Sequence, residues 1–173
     1  MGGDYKSSLN LPSTDFPMRA NLAEREPDQV AEWEDDAIYE RMIDRRKRQG
    51  AERFIFHDGP PYANGHLHHG HILNKSLKDF VVKYRNMAGQ LCEFIPGWDC
   101  HGLPIEHEVA EQLGDEKEQM TQAEIRQACR EYADEFVDIQ RDEIKRIMAF
   151  SDWANPYRTM SYDYEATIIR MLG

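Results

Sequence analysis

The sequence predicts an α/β fold built on a parallel sheet. Two short apolar runs, residues 53–57 (Arg-Phe-Ile-Phe-His) and 91–95 (Leu-Cys-Glu-Phe-Ile), are bounded by turn-forming residues as buried strands are. Between them Leu73, Leu77, Phe80, Tyr84 and Met87 step by four, three, four and three, which is one face of a helix over residues 70–88. A strand, a helix of about five turns and a second strand form a βαβ unit, and such units imply parallel pairing.

The remaining elements follow in chain order. Residues 1–26 mix Pro, Asn, Ser and charge without a period and predict an extended arm. Residues 27–49 predict a helix, with Pro27 at a first helical position and Val30, Trp33, Ile38, Met42 and Ile43 along one side. Gly50 ends it, and Arg45, Arg46, Lys47 and Arg48 lie in the last turn, where cations complement the helix dipole. Residues 1–50 are thus an arm and helix preceding an α/β unit over residues 51–173. Gly89 stops the helix of the βαβ unit, and Pro96-Gly97 ends its second strand. Residues 103–113 fit a short helix. Thr121 and Glu124 have the spacing of a capping box for a long helix to Met148, with Ile125, Cys129, Tyr132, Phe136 and Ile139 on one face. Residues 163–172 are helical in pattern again.

Composition limits the function classes. The 173 residues carry a net charge of −11, which argues against a chain that grips nucleic acid by charge alone but allows one nucleotide in a pocket. No stretch approaches the roughly 20 apolar residues of a membrane span, and the N-terminus lacks a signal-peptide core. A cytoplasmic protein is expected. Cys92, Cys100 and Cys129 cannot all pair with one another and form no CxxC, so reduced thiols are expected.

All seven histidines lie between positions 57 and 107, and four fall within His66-Leu67-His68-His69-Gly70-His71. This loop joins the first strand to the helix, the place where open α/β sheets bind ligands and where anions meet a helix N-terminus. His68 and His71 are three apart, so both imidazoles share a face at the helix start and can reach one polyphosphate. Gly70 removes a Cβ from the path of an approaching nucleotide. Each N–H donor aimed at developing charge is worth roughly 2.7–4 kcal/mol of transition-state stabilisation in preorganised sites. The histidine loop taken alone is also compatible with a metal site or a solvated loop, with Cys92, Cys100 and His101 as further ligands, although no pair has zinc-finger spacing.

Three motif blocks extend the pattern: residues 56–65 (Phe-His-Asp-Gly-Pro-Pro-Tyr-Ala-Asn-Gly), Asn74-Lys75-x-Leu77-Lys78-Asp79, and residues 96–106 (Pro-Gly-Trp-Asp-Cys-His-Gly-Leu-Pro-Ile-Glu). With the His-x-Gly-His signature at His68–His71 they resemble isoleucyl-tRNA synthetase, a class I aminoacyl-tRNA synthetase. The resemblance runs from about Asp15 to Gly173. His69 stands where the family more often has Ile or another apolar residue, at a position that varies.

The resemblance implies the first half of a Rossmann-like class I catalytic domain, and it implies roles. His68 and His71 are the expected catalytic pair, with Gly59, Pro60, Asn64, Gly70 and Asn74 as further ATP contacts. Asp99 is expected to bind the α-ammonium of isoleucine, with Pro60 and Trp98 beside it; capping of the next helix is the alternative for Asp99, and core packing for Trp98. Cys100 and His101 are expected in the shell of the pocket. The implied chemistry is attack of the isoleucine carboxylate on the α-phosphorus of ATP, with Mg²⁺ accompanying ATP, followed by transfer to tRNA(Ile). No metal is expected on the residues present, and the family's zinc-binding segments, editing site, anticodon-binding domain and Lys-Met-Ser-Lys-Ser loop do not occur in this sequence. The chain is therefore expected to work with the remainder of a longer polypeptide. The competing expectations are a stand-alone nucleotidyltransferase sharing only the histidine loop, and a non-catalytic truncated synthetase module.

Overall fold

Residues 27–49, expected as one helix, form parts of two. The computed structural model describes residues 8–10, 13–15 and 19–173, so most of the expected arm lies outside the described residues. Helix α1 spans Leu22–Asp35 and α2 spans Ile38–Arg48. Pro27 lies inside α1, not at its first position, and there it forgoes the bond an N–H would make to the carbonyl one turn back. Ala37, at φ 49, breaks the path between the helices. The break lets the helical pair fold back on the rest of the chain. Trp33 packs edge-on against Phe150 at 5.2 Å, and the Tyr39 hydroxyl accepts from Phe94 N at 3.0 Å.

Helix α3, His69–Met87, matches the expected βαβ helix in extent but not in the face it buries. Leu73, Leu77, Phe80, Tyr84 and Met87 are all exposed. The buried side is Lys75, Asp79, Val82 and Asn86. Those polar groups are tolerated because each has a partner, although Asp79 Oδ1 has none of its own. Asn86 donates to Val82 O at 2.9 Å and Cys92 O at 2.8 Å and accepts from Cys92 N; Asp79 accepts from Lys83 at 2.6 Å.

The two apolar runs on either side of α3 meet in parallel, as expected, but through a single bridge, Arg53 with Leu91. Phe54 N donates to Leu91 O and Leu91 N to Glu52 O, after which the pairing stops. Pro60, Pro61 and Pro96 have no N–H to extend a ladder. A second isolated parallel bridge joins Tyr62 and Asp99. The regular sheet is a short parallel pair, β1 (Gly97–Trp98) with β2 (Tyr157–Arg158). No sequence pattern announced β2.

Between β1 and β2 run α4 (Leu103–Leu113), a 3₁₀ turn over Gly114–Gln119, and α5 (Gln122–Lys145); α6 (Tyr162–Leu172) follows β2. Thr121 caps α5 as its spacing predicts: Glu124 N donates to Thr121 Oγ1, and Thr121 N donates back to Glu124 Oε2 at 2.7 Å. The core lies between α3, α4 and α5 and includes the fully buried Val82, Phe94, Trp98, Ile105, Val137 and Met148. Two parallel connections through helices, from Arg53 to Leu91 and from β1 to β2, make this an α/β chain. It has the layout expected of part of a Rossmann-like domain.

Candidate functional site

The loop between the first extended run and α3 is held from α5. Gln140, fully buried, donates through Nε2 to Tyr62 O at 3.0 Å and Gly65 O at 2.8 Å, and its Oε1 accepts from Trp98 Nε1 at 3.1 Å. One turn on, Glu143 accepts from Leu67 N at 2.9 Å and pairs with His66. Asn64 donates to Pro104 O at 3.3 Å and accepts from the Tyr132 hydroxyl at 2.7 Å. Its amide therefore braces the loop between α4 and α5.

His68 is the N-cap of α3. Its Nδ1 accepts from Gly70 N at 3.0 Å and His71 N at 3.4 Å, while His71 Nδ1 accepts from His68 N at 3.5 Å. The two rings stack 3.8 Å apart at 19°. With Nδ1 accepting in both, the hydrogen-bond network assigns the proton of each neutral ring to Nε2. Burial, then the neighbouring His68 and Lys75, hold His71 below its ordinary pKa, so it is uncharged at neutral pH. The helix start thus presents two stacked rings whose Nε2 atoms are free of the cap and can donate at the N-terminus of α3. A Cβ on Gly70 would meet the His68 ring at 2.9 Å, so the glycine is needed for the cap itself as well as for access from outside.

Gly59 is exposed, with open space where a Cβ would stand, and Pro60 is half-buried. Asp58, just before them, is gripped by Lys75 and Lys78 of α3. Asn74 is exposed on α3, one turn beyond His71.

Asp99 lies beside the same loop. Its N donates to Pro61 O and its O accepts from Ala63 N, both at 2.8 Å. Its carboxylate accepts from His101 N at 3.3 Å and Thr159 Oγ1 at 3.4 Å. It does not cap α4, whose N-cap is Gly102. Trp98 has no exposed surface and belongs to the core, behind Asp99. Cys100 is buried as well, and burial pushes its thiol above the usual range. His101 stays at the surface, 3.3 Å from Glu165. Among the described residues no group of three or more His, Cys, Asp or Glu is arranged to hold a metal ion, and no helix is long and apolar enough to cross a membrane.

The chain therefore brings the loop 59–65 against Asp99 and sets His68 and His71 side by side. The supports from Gln140, Glu143 and Thr159 come from more than 50 positions away and carry no local signal in the sequence.

Comparison with known proteins agrees with this layout. The family "tRNA synthetases class I (I, L, M and V)" matches residues 28–173. An isoleucine–tRNA ligase of Legionella pneumophila is 53% identical over 170 residues, which are 98% of this chain and 18% of that protein. One of Lawsonia intracellularis is 54% identical over 165 residues, 95% of this chain and 17% of its own length. The chain thus spans about a fifth of these relatives. Among solved structures, a LeuRS of Agrobacterium radiobacter K84, in a ternary complex with tRNA and LeuAMS, superposes with a TM-score of 0.66 at 21% identity. That superposition covers 89% of this chain and 18% of the LeuRS chain, and at such identity it speaks for the fold. With the family match running over most of its length and the fold in accord, the chain belongs to the class I tRNA synthetases of the I, L, M and V group.

Proposed function

We propose that this chain forms the ATP- and isoleucine-facing part of an isoleucine–tRNA ligase. The observation that carries the proposal is the pair of stacked imidazoles at the start of α3, with the loop beside them hydrogen-bonded to Asp99. The identity to isoleucine–tRNA ligases supports the choice of amino acid.

In this reading the isoleucine carboxylate attacks the α-phosphorus of ATP. Its oxygen forms the new P–O bond, and pyrophosphate leaves with the electron pair of the broken one. No side chain need be a nucleophile; the protein positions the substrates and stabilises charge. The Nε2–H groups of His68 and His71 donate to phosphoryl oxygens. As hydrogen-bond donors they stabilise developing charge without transferring a proton. Gly59, Pro60, Gly70 and Asn74 border the nucleotide, and Asn64 holds their loop. The Asp99 carboxylate receives the α-ammonium, because a charge-assisted bond there selects an amino acid over an uncharged analogue. Trp98 sets Asp99 from the core, and Pro60 stiffens the turn opposite it. Mg²⁺ comes with ATP, since this ion keeps its waters and binds largely through substrate phosphates. Transfer to tRNA(Ile), in the cytoplasm, requires the remainder of the polypeptide.

Isoleucine-dependent ATP–pyrophosphate exchange tests the proposal, first in the full-length protein and then in these 173 residues, with valine and leucine as controls. Exchange that requires isoleucine is expected in the full-length protein. Exchange that leucine or valine supports better overturns the substrate assignment.

A further inference from the structure

We infer that Asp58, Lys75 and Lys78 are positioning residues for this site: a carboxylate on the loop that carries Gly59 and Pro60, gripped by two ammonium groups on the helix that carries His71, fixes the spacing between the two halves of the nucleotide surface. The inference rests on the functional reading above and names residues to which that reading gives no role.

The three side chains are withdrawn from water, with exposures of 2% for Asp58, 4% for Lys75 and 16% for Lys78. Charges at that depth are costly to bury unless they are paired, so the cluster needs a reason to be there. Two ammonium groups against one carboxylate leave one positive charge in excess. Burial alone draws Lys75 down to about 8, and the touching Asp58 carboxylate favours its charged form.

The place of the cluster in the fold supplies the reason. Residues 52–61 hang on the strand side, through Phe54 N to Leu91 O and through Asp99 N to Pro61 O, and the next carbonyl, Tyr62 O, is held by Gln140 of α5. The start of α3 hangs on α5, through Leu67 N to Glu143. Among the described residues, the only hydrogen bonds and ion pairs between residues 52–62 and α3 are those of Asp58 with Lys75 and Lys78. A cation–π contact, Arg85 over Phe54 at 4.2 Å, ties the far end of the helix. Without Asp58, the turn at Gly59-Pro60 is tied to the imidazole pair only indirectly, through the bonds of Gln140 and Glu143 on α5 to Tyr62 and Leu67.

The helix geometry extends the tie to His71. His71, Lys75 and Lys78 are four and three apart on α3 and so share one stripe. The Lys75 charge already reaches His71, where it is one of the causes that keep the imidazole neutral. The cluster thus fixes where the turn stands relative to His71 and supports the neutral donor form of that ring, without touching the substrate.

The test is ATP–pyrophosphate exchange in the full-length enzyme, with kcat and the KM values for ATP and isoleucine measured separately. Asp58→Asn keeps size and removes the charge. A misplacement of about 1 Å costs on the order of 100-fold in rate, so kcat is expected to fall by about 10- to 100-fold, with both KM values within about threefold. Lys78→Met spares the more deeply buried Asp58–Lys75 pair and is expected to lower kcat by about 3- to 10-fold in the same sense. If Asp58→Asn does not fold, Lys78→Met decides by the same criterion. An inactive wild-type enzyme sinks the functional reading. An active wild type with variant kcat values within twofold of it, or with the whole loss in KM, overturns the positioning role and leaves a strut that matters only to folding.

Discussion

Replacing Gln140 with Met isolates the contribution of the α5 brace to the fold. The side chains are similar in size, so the change deletes polar partners without opening a large cavity. Four bonds are lost: one from the Trp98 indole and those to Tyr62 O, Asn64 O and Gly65 O. The indole N–H is the expensive one, because Trp98 is fully buried and water cannot replace Gln140 there. An orphaned buried donor costs about 1–3 kcal/mol. The three carbonyls belong to one exposed and two half-buried residues, so solvent recovers part of their loss. A total of about 3 kcal/mol follows, and for a chain of this size that is a drop in Tm of roughly 6–12 °C. Thermal unfolding by circular dichroism measures it, with urea titration as a second route. The cycle with Trp98→Phe sharpens the test: with the indole N–H already gone, Gln140→Met should cost distinctly less. A Tm within about 2 °C of wild type for Gln140→Met, or equal costs in both backgrounds, would refute the brace.

Three further outcomes follow from the site and its supports. His68→Asn keeps an N-cap acceptor but loses the Nε2–H; exchange should fall by about 100-fold or more with stability near wild type, whereas His68→Ala should lose the rate and about 0.5–2 kcal/mol of stability. Equal stability for the two variants would show that the cap is not the Nδ1 bond. Asp99→Asn can still accept from His101 N and Thr159, so it should leave the melting curve in place while raising the isoleucine KM by roughly 10- to 150-fold, the worth of a charge-assisted bond. A matching rise in the ATP KM would reassign Asp99 to structure. Burial of Tyr39 raises its phenol from 10.0 to about 12. The unfolded chain then loses that proton first, so the stabilisation is complete below about pH 10 and drains away between pH 10 and 12. Tyr39→Phe should flatten that alkaline loss in urea titrations at stepped pH. An unchanged slope would mean the hydroxyl is not sequestered.

Local physics wrote some elements into the sequence and left others out. Helix α4 has the bounds its apolar pattern predicts, and the Thr121–Glu124 box starts α5, because both signals act within one turn. The break at Asp36-Ala37 has no glycine or proline to announce it and arises where α1 and α2 pack back on Phe94 and Phe150. Strand β2 is two residues long and exists because Tyr157 N and Thr159 N reach Pro96 O and Trp98 O, a pairing across 60 positions. At the site, the imidazole pair and Asp99 lay inside quotable motifs. Asp58 and Lys75 lay in the same motifs, but only the fold shows that they touch.

The face that α3 buries has the largest consequence for function. Periodicity shows that residues three and four apart share a side, but it does not say which side meets the core. Here the polar stripe His71–Lys75–Lys78 turns inward, toward Asp58, and Leu73, Leu77, Phe80 and Tyr84 point outward. An inward apolar stripe would bury more hydrophobic area but would leave the Asp58 carboxylate without partners. It would also rotate His71 away from the His68 ring, because one helix fixes the angle between residues 71, 75 and 78. Stacking of His68 on His71, pairing of Asp58 with Lys75, and exposure of the leucine stripe are therefore one choice of helix rotation.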